Sequence, residues 1–302
     1  MENNLPPRLI DESNTTFRSV SEGSEKWLYR PIQCLDHGFV YLVDYCGDDY
    51  SIVQAARVSY GQGTKKVSTD EGLIRYLMRH AHTTPFEMVE FKFHCKMPIF
   101  VARQWIRHRM ASVNEYSGRY SEMLNEFYLP DRSVLKKQAT GNRQGRGDDL
   151  SVDDQNFVLG LLKSEYGSQH ATYKRFLEID LAKELARIGL SVANYTQWYW
   201  KIDLHNLFHF LRLRLDSHAQ HEIQVFGQAI AQIISESVPM AWKAFEDYRL
   251  YSVNFSRLEL DVLGQNQWPM SEEKASQVIL SIVNKREREE FWDKLKNLNF
   301  IT

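Results

Sequence analysis

Residues 103–120 constrain this chain more than any other stretch. Arg103, Arg107, His108, Arg109 and Arg119 gather there around a single acid, Glu115. Like charges at that density repel, so the fold must either leave the span in water or give it a negative counterpart. The residues just before it, Pro98, Ile99, Phe100, Val101 and Ala102, read as an apolar helix start with proline in its first turn. The cations therefore ride on an element that packs. Guanidinium forks match phosphate oxygens two at a time, and Asn114, Tyr116 and Ser117 add neutral hydrogen bonds that orient an anion. Glu115 alone cannot balance the span as an internal ion-pair network.

Charge elsewhere decides what kind of anion is expected. Trp105, Tyr116 and Tyr120 interleave with the arginines as in a nucleic-acid patch, but 37 Lys plus Arg stand against 39 Asp plus Glu, a net charge of −2. With no general attraction for polyanions, one concentrated pocket suits a small phosphate compound, and no nucleic-acid partner is expected. The 302 residues suffice for one large domain or two modest ones. Cys34, Cys46 and Cys95 are scattered and odd in number, which argues against a disulfide framework and for a reducing cytoplasm. The polar, acidic start lacks the basic and apolar parts of a signal peptide, and no apolar run approaches a membrane span.

Along the chain, residues 1–30 are rich in Asn, Pro and Ser and read as a flexible extension. At 38–45, Phe39, Tyr41 and Val43 alternate with Val40, Leu42 and Asp44, which predicts a strand buried on both faces. A short helix at about 49–59 follows, and Thr69, with Asp70 and Glu71 in the first turn, predicts another to about 81. Val89, Phe91, Phe93 and Cys95 alternate with Glu90, Lys92, His94 and Lys96, a half-buried strand with Cys95 in the core. His80 and His82 read as helix-end capping groups, since no carboxylate or cysteine stands at metal-ligand spacing.

Residues 130–151, with Gly141, Gly145 and Gly147, read as a mobile loop. They lack Gly-x-Gly-x-x-Gly spacing and a Gly-Lys-Ser/Thr ending, so any dinucleotide must be held by other means. Ser151 caps a long amphipathic helix to about 178, with Phe157, Leu161, Leu162, Tyr166, Tyr173 and Leu177 on its packing side. A helix at 181–190 carries Arg187, and 192–202 is a strand of aromatics and β-formers. Asp203 caps the next helix, whose apolar stripe is Leu204, Leu207, Phe208, Leu211 and Leu215. His205 and His209 lie on another face, without the glutamate of a metalloprotease helix. In the second polar cluster, Asp216, His218 and Gln220 read as a buried network locking two helices, whereas Arg214 belongs to a site. An apolar helix continues to about 242, bent or ended by Pro239. In the tail, Ser271 caps a helix that includes the alternating charges of 285–290, and Val278, Ile279, Ile282 and Val283 imply packing.

The spaced residues Arg107, His108, Arg109, Ser112, Asn114, Ser117, Arg119 and Tyr120 resemble the signature of the flavin-dependent thymidylate synthases. The second cluster resembles that family's Arg-x-Asp-x-x-Ala-Gln-x-Glu-Ile-Gln segment, and the likeness runs from about 37 to 246. The resemblance implies reductive methylation of deoxyuridine monophosphate (dUMP) to thymidylate (dTMP). It also implies 5,10-methylenetetrahydrofolate as carbon donor and FAD, recharged by NADPH, as hydride donor, with no protein nucleophile. It implies a homotetramer with flavin sites shared between subunits. The fold expected is α+β, one domain with a mixed or antiparallel sheet packed with long helices and a flavin site unlike the Rossmann kind. Residues 1–30 would be an extension, 31–250 the catalytic domain and 251–302 a helical extension.

Carried over position by position, Gln104, Arg107, Glu115, Tyr116, Ser117, Gly118, Arg119, Arg187 and Arg214 match dUMP contacts. Thr84, Arg107, His108, Arg109, Glu115, Asp203, Leu204, His205 and His209 match flavin positions. Asp203, His205 and His209 depart from the Asn and Arg side chains associated with some of those positions. Arg214 is the expected catalytic group, a fixed charge at the uracil edge that stabilises the ring's anionic form. No metal is expected. A non-catalytic nucleotide-binding protein and a nucleic-acid module built on residues 107–120 are the alternatives from other classes.

Overall fold

The computed structural model describes residues 19–58, 69–139 and 145–302. Period-two patterning sets its centre. The strands in chain order are β1 (Ile32–Cys34), β2 (Gly38–Cys46), β3 (Glu90–Pro98), β4 (Ala111–Glu115), β5 (Lys136–Gln138), β6 (Arg146–Asp149) and β7 (Tyr195–Asp203). Five of them form an antiparallel sheet in the order β1-β2-β3-β7-β4. In central β3 the side chains of Phe91, Phe93, Cys95 and Met97 are buried, while Glu90, Lys92, His94 and Lys96 are only partly so. Its register sets Phe93 opposite Trp200 and Cys95 opposite Trp198, so aromatic rings knit the core face.

β2 is not buried on both faces as its composition suggested. Val40 and Leu42 point into the core, and Phe39, Tyr41 and Val43 are half-buried on the other side. An irregularity between Leu42 and Asp44 then returns Tyr45 to the interior, as a bulge does. On that second face Tyr41 Oη lies 2.6 Å from His94 Nδ1, and His94 Nε2 lies 3.0 Å from Gln197 Oε1. The span expected to be a mobile loop forms the β5–β6 hairpin instead, with residues 140–144 outside the described residues.

The helices are α1 (Glu22–Trp27), α2 (Asp49–Val58), α3 (Asp70–Arg79), α4 (Thr84–Glu87), α5 (Ile99–Trp105), α6 (Val152–Glu178), α7 (Lys183–Ala186), α8 (Leu204–Arg214), α9 (His221–Ser237) and α10 (Pro239–Phe245). Caps form where serine, threonine or aspartate precedes an acidic or polar first turn: Thr69 on α3, Ser151 on α6 and Asp203 on α8. The expectation of a loose extension fails for residues 19–30. Ser21 caps α1 and donates at 2.7 Å to Ser237 O at the end of α9. On α6 only Tyr173 is buried, whereas Phe157 is 66% and Leu161 50% exposed. The expected 181–190 helix is α7 followed by a 3₁₀ turn, Arg187–Gly189. Beneath the sheet, Trp105 packs against Trp198, Trp200, Phe210 and Phe226 at centroid distances of 5.0–5.8 Å.

The described residues up to Arg249 form one compact unit and Leu250–Thr302 a second. The second comprises α11 (Arg257–Gln265), α12 (Glu272–Val278) and α13 (Lys285–Asn297) around Val262, Ile279, Ile282, Phe291 and Leu295. The single tail helix expected from Ser271 is broken by a 3₁₀ turn at Ile279–Ser281, and Asn284 caps α13 anew. Val283, expected to pack, is 89% exposed. No helix among the described residues is long and apolar enough to cross a membrane.

Candidate active site

Pro98 ends β3 and serves as N-cap of α5. Because α5 buries Val101, Ala102 and Trp105, helical geometry turns Arg103 outward and leaves Gln104 half-buried. Arg107 and Arg109 are exposed, and among the described residues neither they nor Arg103 has a carboxylate within ion-pair reach. His108, between them, turns inward. Its Nε2 accepts from Arg214 Nε at 3.2 Å and stands 3.0 Å from Arg214 Nη2, while its ring meets Phe210 edge-on at 4.9 Å and His209 at 6.0 Å. Burial first, then the charge of Arg214 and of His209, pushes the His108 pKa down to about 4. The ring is therefore neutral near pH 7, with its Nε2 lone pair toward Arg214. Burial also lowers the Arg214 pKa, but a guanidinium remains charged. Arg214 sits close under α9 because residue 227 is glycine: a Cβ there would stand 3.3 Å from Arg214 Cβ.

β4 leads into the loop at 115–120. Glu115 Oε1 accepts from Thr196 Oγ1 at 2.7 Å, and Tyr116 N donates to Gln197 O at 2.8 Å. Tyr116 Oη donates to Glu122 O at 2.7 Å, and Ser117 O accepts from the N–H groups of Tyr120 and Ser121, closing a turn. Gly118 lets Met123 and Arg187 close in on the loop, since a Cβ there would lie 2.7 Å from Met123 Sδ and 3.2 Å from Arg187 Cδ and Nη1 and would push those side chains aside. Arg187 thus lies against Gly118, with no carboxylate partner among the described residues. Arg119 Nε reaches Glu184 Oε2 at 3.2 Å, and Lys183 Nζ donates to Tyr120 O at 3.1 Å, so α7 is tied to the same loop.

A second link joins the two polar clusters. Gln104 Nε2 donates to Gln220 Oε1, and Gln220 Nε2 donates to Glu222 Oε2 at 2.8 Å. The expected buried network of Asp216, His218 and Gln220 is absent. Asp216 Oδ1 accepts from His218 N at 2.8 Å within a surface turn, and the His218 side chain is 82% exposed. Glu222 is the buried member, 2% exposed.

Thr84 opens α4 at the surface; its neighbours His82, Thr83 and Phe86 line a cavity of about 260 Å³. Phe86, Phe208 and Phe245 supply apolar walls, with the last two rings stacked at 4.4 Å. His205, His209 and Arg212 supply polar ones. Leu204 is fully buried and is not among the lining residues, and the Asp203 carboxylate caps α8, accepting from Asn206 N at 2.9 Å. His80 is the C-cap of α3. No group of three or more His, Cys, Asp or Glu among the described residues could hold a metal ion.

A sequence profile of the family described as "Thymidylate synthase complementing protein" matches residues 41–240. A flavin-dependent thymidylate synthase of Ruegeria pomeroyi is 55% identical over 252 residues, 82% of this chain and 83% of that one. The chain belongs to the flavin-dependent thymidylate synthase family. The likeness to a flavin-dependent thymidylate synthase of Rickettsia prowazekii extends over 92% of this chain and 97% of that one at 50% identity. A solved UMP/dUMP methylase of Streptomyces cacaoi, bound with 5-Br dUMP, is 32% identical and superposes with a TM-score of 0.65, covering 74% of this chain and all of that one.

The fold brings His108 to Arg214 and Gln104 to Gln220, and it sets Arg187 against the loop at 115–119. His205 and His209 go to the cavity. Reading the sequence missed Arg212 as a cavity residue. For Arg212 a signal existed, since 205, 209 and 212 share one helical stripe. It also missed Arg146, whose partner Glu222 lies 76 residues away.

Proposed function

We propose that this chain, with FAD bound, converts dUMP to dTMP by reductive methylation, taking carbon from 5,10-methylenetetrahydrofolate and reducing equivalents from NADPH. The observation that carries the reading is the contact of Arg214 with neutral His108, beside arginines that no described carboxylate neutralises. Such an arrangement fits an anionic nucleotide, and the Streptomyces relative bound with 5-Br dUMP agrees with it.

Ser117, Arg119 and Arg187 hold the phosphate in this reading, with Glu115, Tyr116 and Gly118 shaping the loop around the nucleotide. Gln104, Arg107 and Arg214 meet the rest of it. Arg214 carries a fixed charge, and the bond it donates to His108 Nε2 fixes the fork's orientation. Placed at the uracil edge, that charge stabilises negative charge on the ring oxygens and leaves C5 more nucleophilic. A protein thiol is not needed. Burial pushes Cys34 up to about 12 and Cys95 well above the usual thiol range, so neither supplies thiolate near neutrality.

The cavity residues fit a flavin: the phenylalanines suit a flat ring, and His82, His205, His209 and Arg212 suit polar edges or phosphates. Thr84, Arg107, His108, Arg109 and Glu115 complete that group, and when bound and reduced, FAD supplies the hydride. At about 260 Å³ the cavity is below the ~300–1,000 Å³ of usual ligand pockets, so another subunit of a homotetramer provides the remainder. The three free cysteines accord with a cytoplasmic setting.

Following the visible spectrum anaerobically tests the reading. The purified protein should be yellow, bleach on addition of NADPH, and form dTMP when dUMP and methylenetetrahydrofolate are present. Folded protein that stays colourless after incubation with FAD, yet binds dUMP, would make it a nucleotide-binding protein instead.

A further inference from the structure

Glu222 is a carboxylate in the interior, at the first turn of α9, and among the described residues it is held by Arg146, Tyr128 and Gln220. Arg146 Nη2, on β6, donates to Oε1 at 2.6 Å and to Oε2 at 2.8 Å. Tyr128 Oη donates to Oε1 at 3.0 Å and Gln220 Nε2 to Oε2 at 2.8 Å. Burial raises the Glu222 pKa, but the bonds from Gln220 and Arg146 outweigh it and hold the carboxyl below its usual range. Among the described residues Arg146 is its one ion-pair partner.

A charged carboxylate only accepts, so it dictates the orientation of the amide that touches it. Gln220 must turn its NH₂ toward Glu222, which leaves Gln220 Oε1 facing the other way. That oxygen accepts from Gln104 Nε2, so the Gln104 amide is in turn held with its NH₂ toward Gln220 and its carbonyl away from it. The geometry points to Arg146 as a positioning residue for the nucleotide side of the site: by anchoring Glu222 it sets, through Gln220, the place and polarity of the Gln104 amide. This rests on the assignment of Gln104 to dUMP made above. Arg146 touches no substrate in this scheme; the β5–β6 hairpin acts as a brace behind the site.

A double-mutant cycle on the FAD-loaded full chain tests it. Arg146→Met should raise the KM for dUMP about tenfold, with kcat within about twofold and FAD content unchanged, and Arg146→Lys should recover most of the loss. In a Gln104→Ala background the same Arg146→Met change should add no further rise. If Gln104→Ala raises KM and Arg146→Met still adds its full effect, the relay is wrong while Gln104 remains a nucleotide contact. If Gln104→Ala leaves KM alone, the assignment of Gln104 fails, and the relay with it. Should Arg146→Met fail to fold because Glu222 is left charged and unpaired, Arg146→Met with Glu222→Gln removes that charge and is carried through the same cycle. Equal falls in kcat, FAD content and melting temperature would mark Arg146 as merely structural and overturn the proposal.

Discussion

His108 acts here as an acceptor, and that fixes what its removal should do. A hydrogen bond to a charged group is worth about 1.5–3 kcal/mol, so His108→Ala, which leaves the Arg214 fork unoriented, should lower kcat/KM for dUMP by about 10–100-fold in steady-state assays. An unchanged kcat/KM would remove His108 from the site. The pH effect has a definite sign. The folded-state pKa, pushed down to about 4, lies below the ~6.5 of an unfolded imidazole. The unfolded chain therefore takes up a proton first, and stability falls as pH drops from about 6.5 through about 4, with no contribution above that window. Urea midpoints at pH 7 and pH 5 should show a larger loss in the parent protein than in His108→Asn. At this scale the sequence was legible for charge and opaque for pairing. The arginine density at 103–119 is the basis for expecting an anion there, but that His108 rather than a carboxylate faces Arg214, 106 positions away, is decided only by how the turn after α5 meets the end of α8.

Helix caps separate what is readable locally from what is not. Thr69, Ser151 and Asp203 each bond an N–H three residues on, so their helix starts could be placed from the sequence. α10 has no such local cap. It begins with Pro239, and its next two N–H groups donate to Asp49 of α2, Met240 N to Oδ2 at 2.8 Å and Ala241 N to Oδ1 at 2.9 Å. Burial pushes Asp49 up to about 6, against the lowering effect of those two bonds. Asp49→Ala should destabilise the protein by about 1–3 kcal/mol in chemical denaturation. It should also loosen flavin retention, because α10 carries Phe245 into the cavity wall. A variant as stable as the parent would mean that solvent caps α10 equally well. β4 and the β5–β6 hairpin were illegible for a related reason. β4 is a short polar run, Ala-Ser-Val-Asn-Glu, and β5 and β6 are mostly charged; what makes them strands is pairing with β7 and with each other, together with the long-range bond from Arg146 to Glu222.

The apolar pattern of α6 predicts a packed face, and within one chain much of that face meets nothing. Phe157 and Leu161, one turn apart on the same side, are 66% and 50% exposed. The second face of the sheet likewise presents Tyr199, 44% exposed, beside Tyr41 and His94. Apolar surface of this kind, contiguous along an element, marks an association site rather than scattered exposure. Such exposed apolar surface, with a cavity of about 260 Å³, fits the proposed homotetramer with shared flavin sites. If the proposed homotetramer forms, mass measurement in solution should give a particle about four times the 35.5 kDa chain. Phe157→Glu combined with Leu161→Glu should yield smaller species that keep their far-ultraviolet circular dichroism but lose FAD, since charges buried without partners cost far more than the contacts they replace. A stable monomer that retains FAD would mean that one chain completes the flavin site by itself.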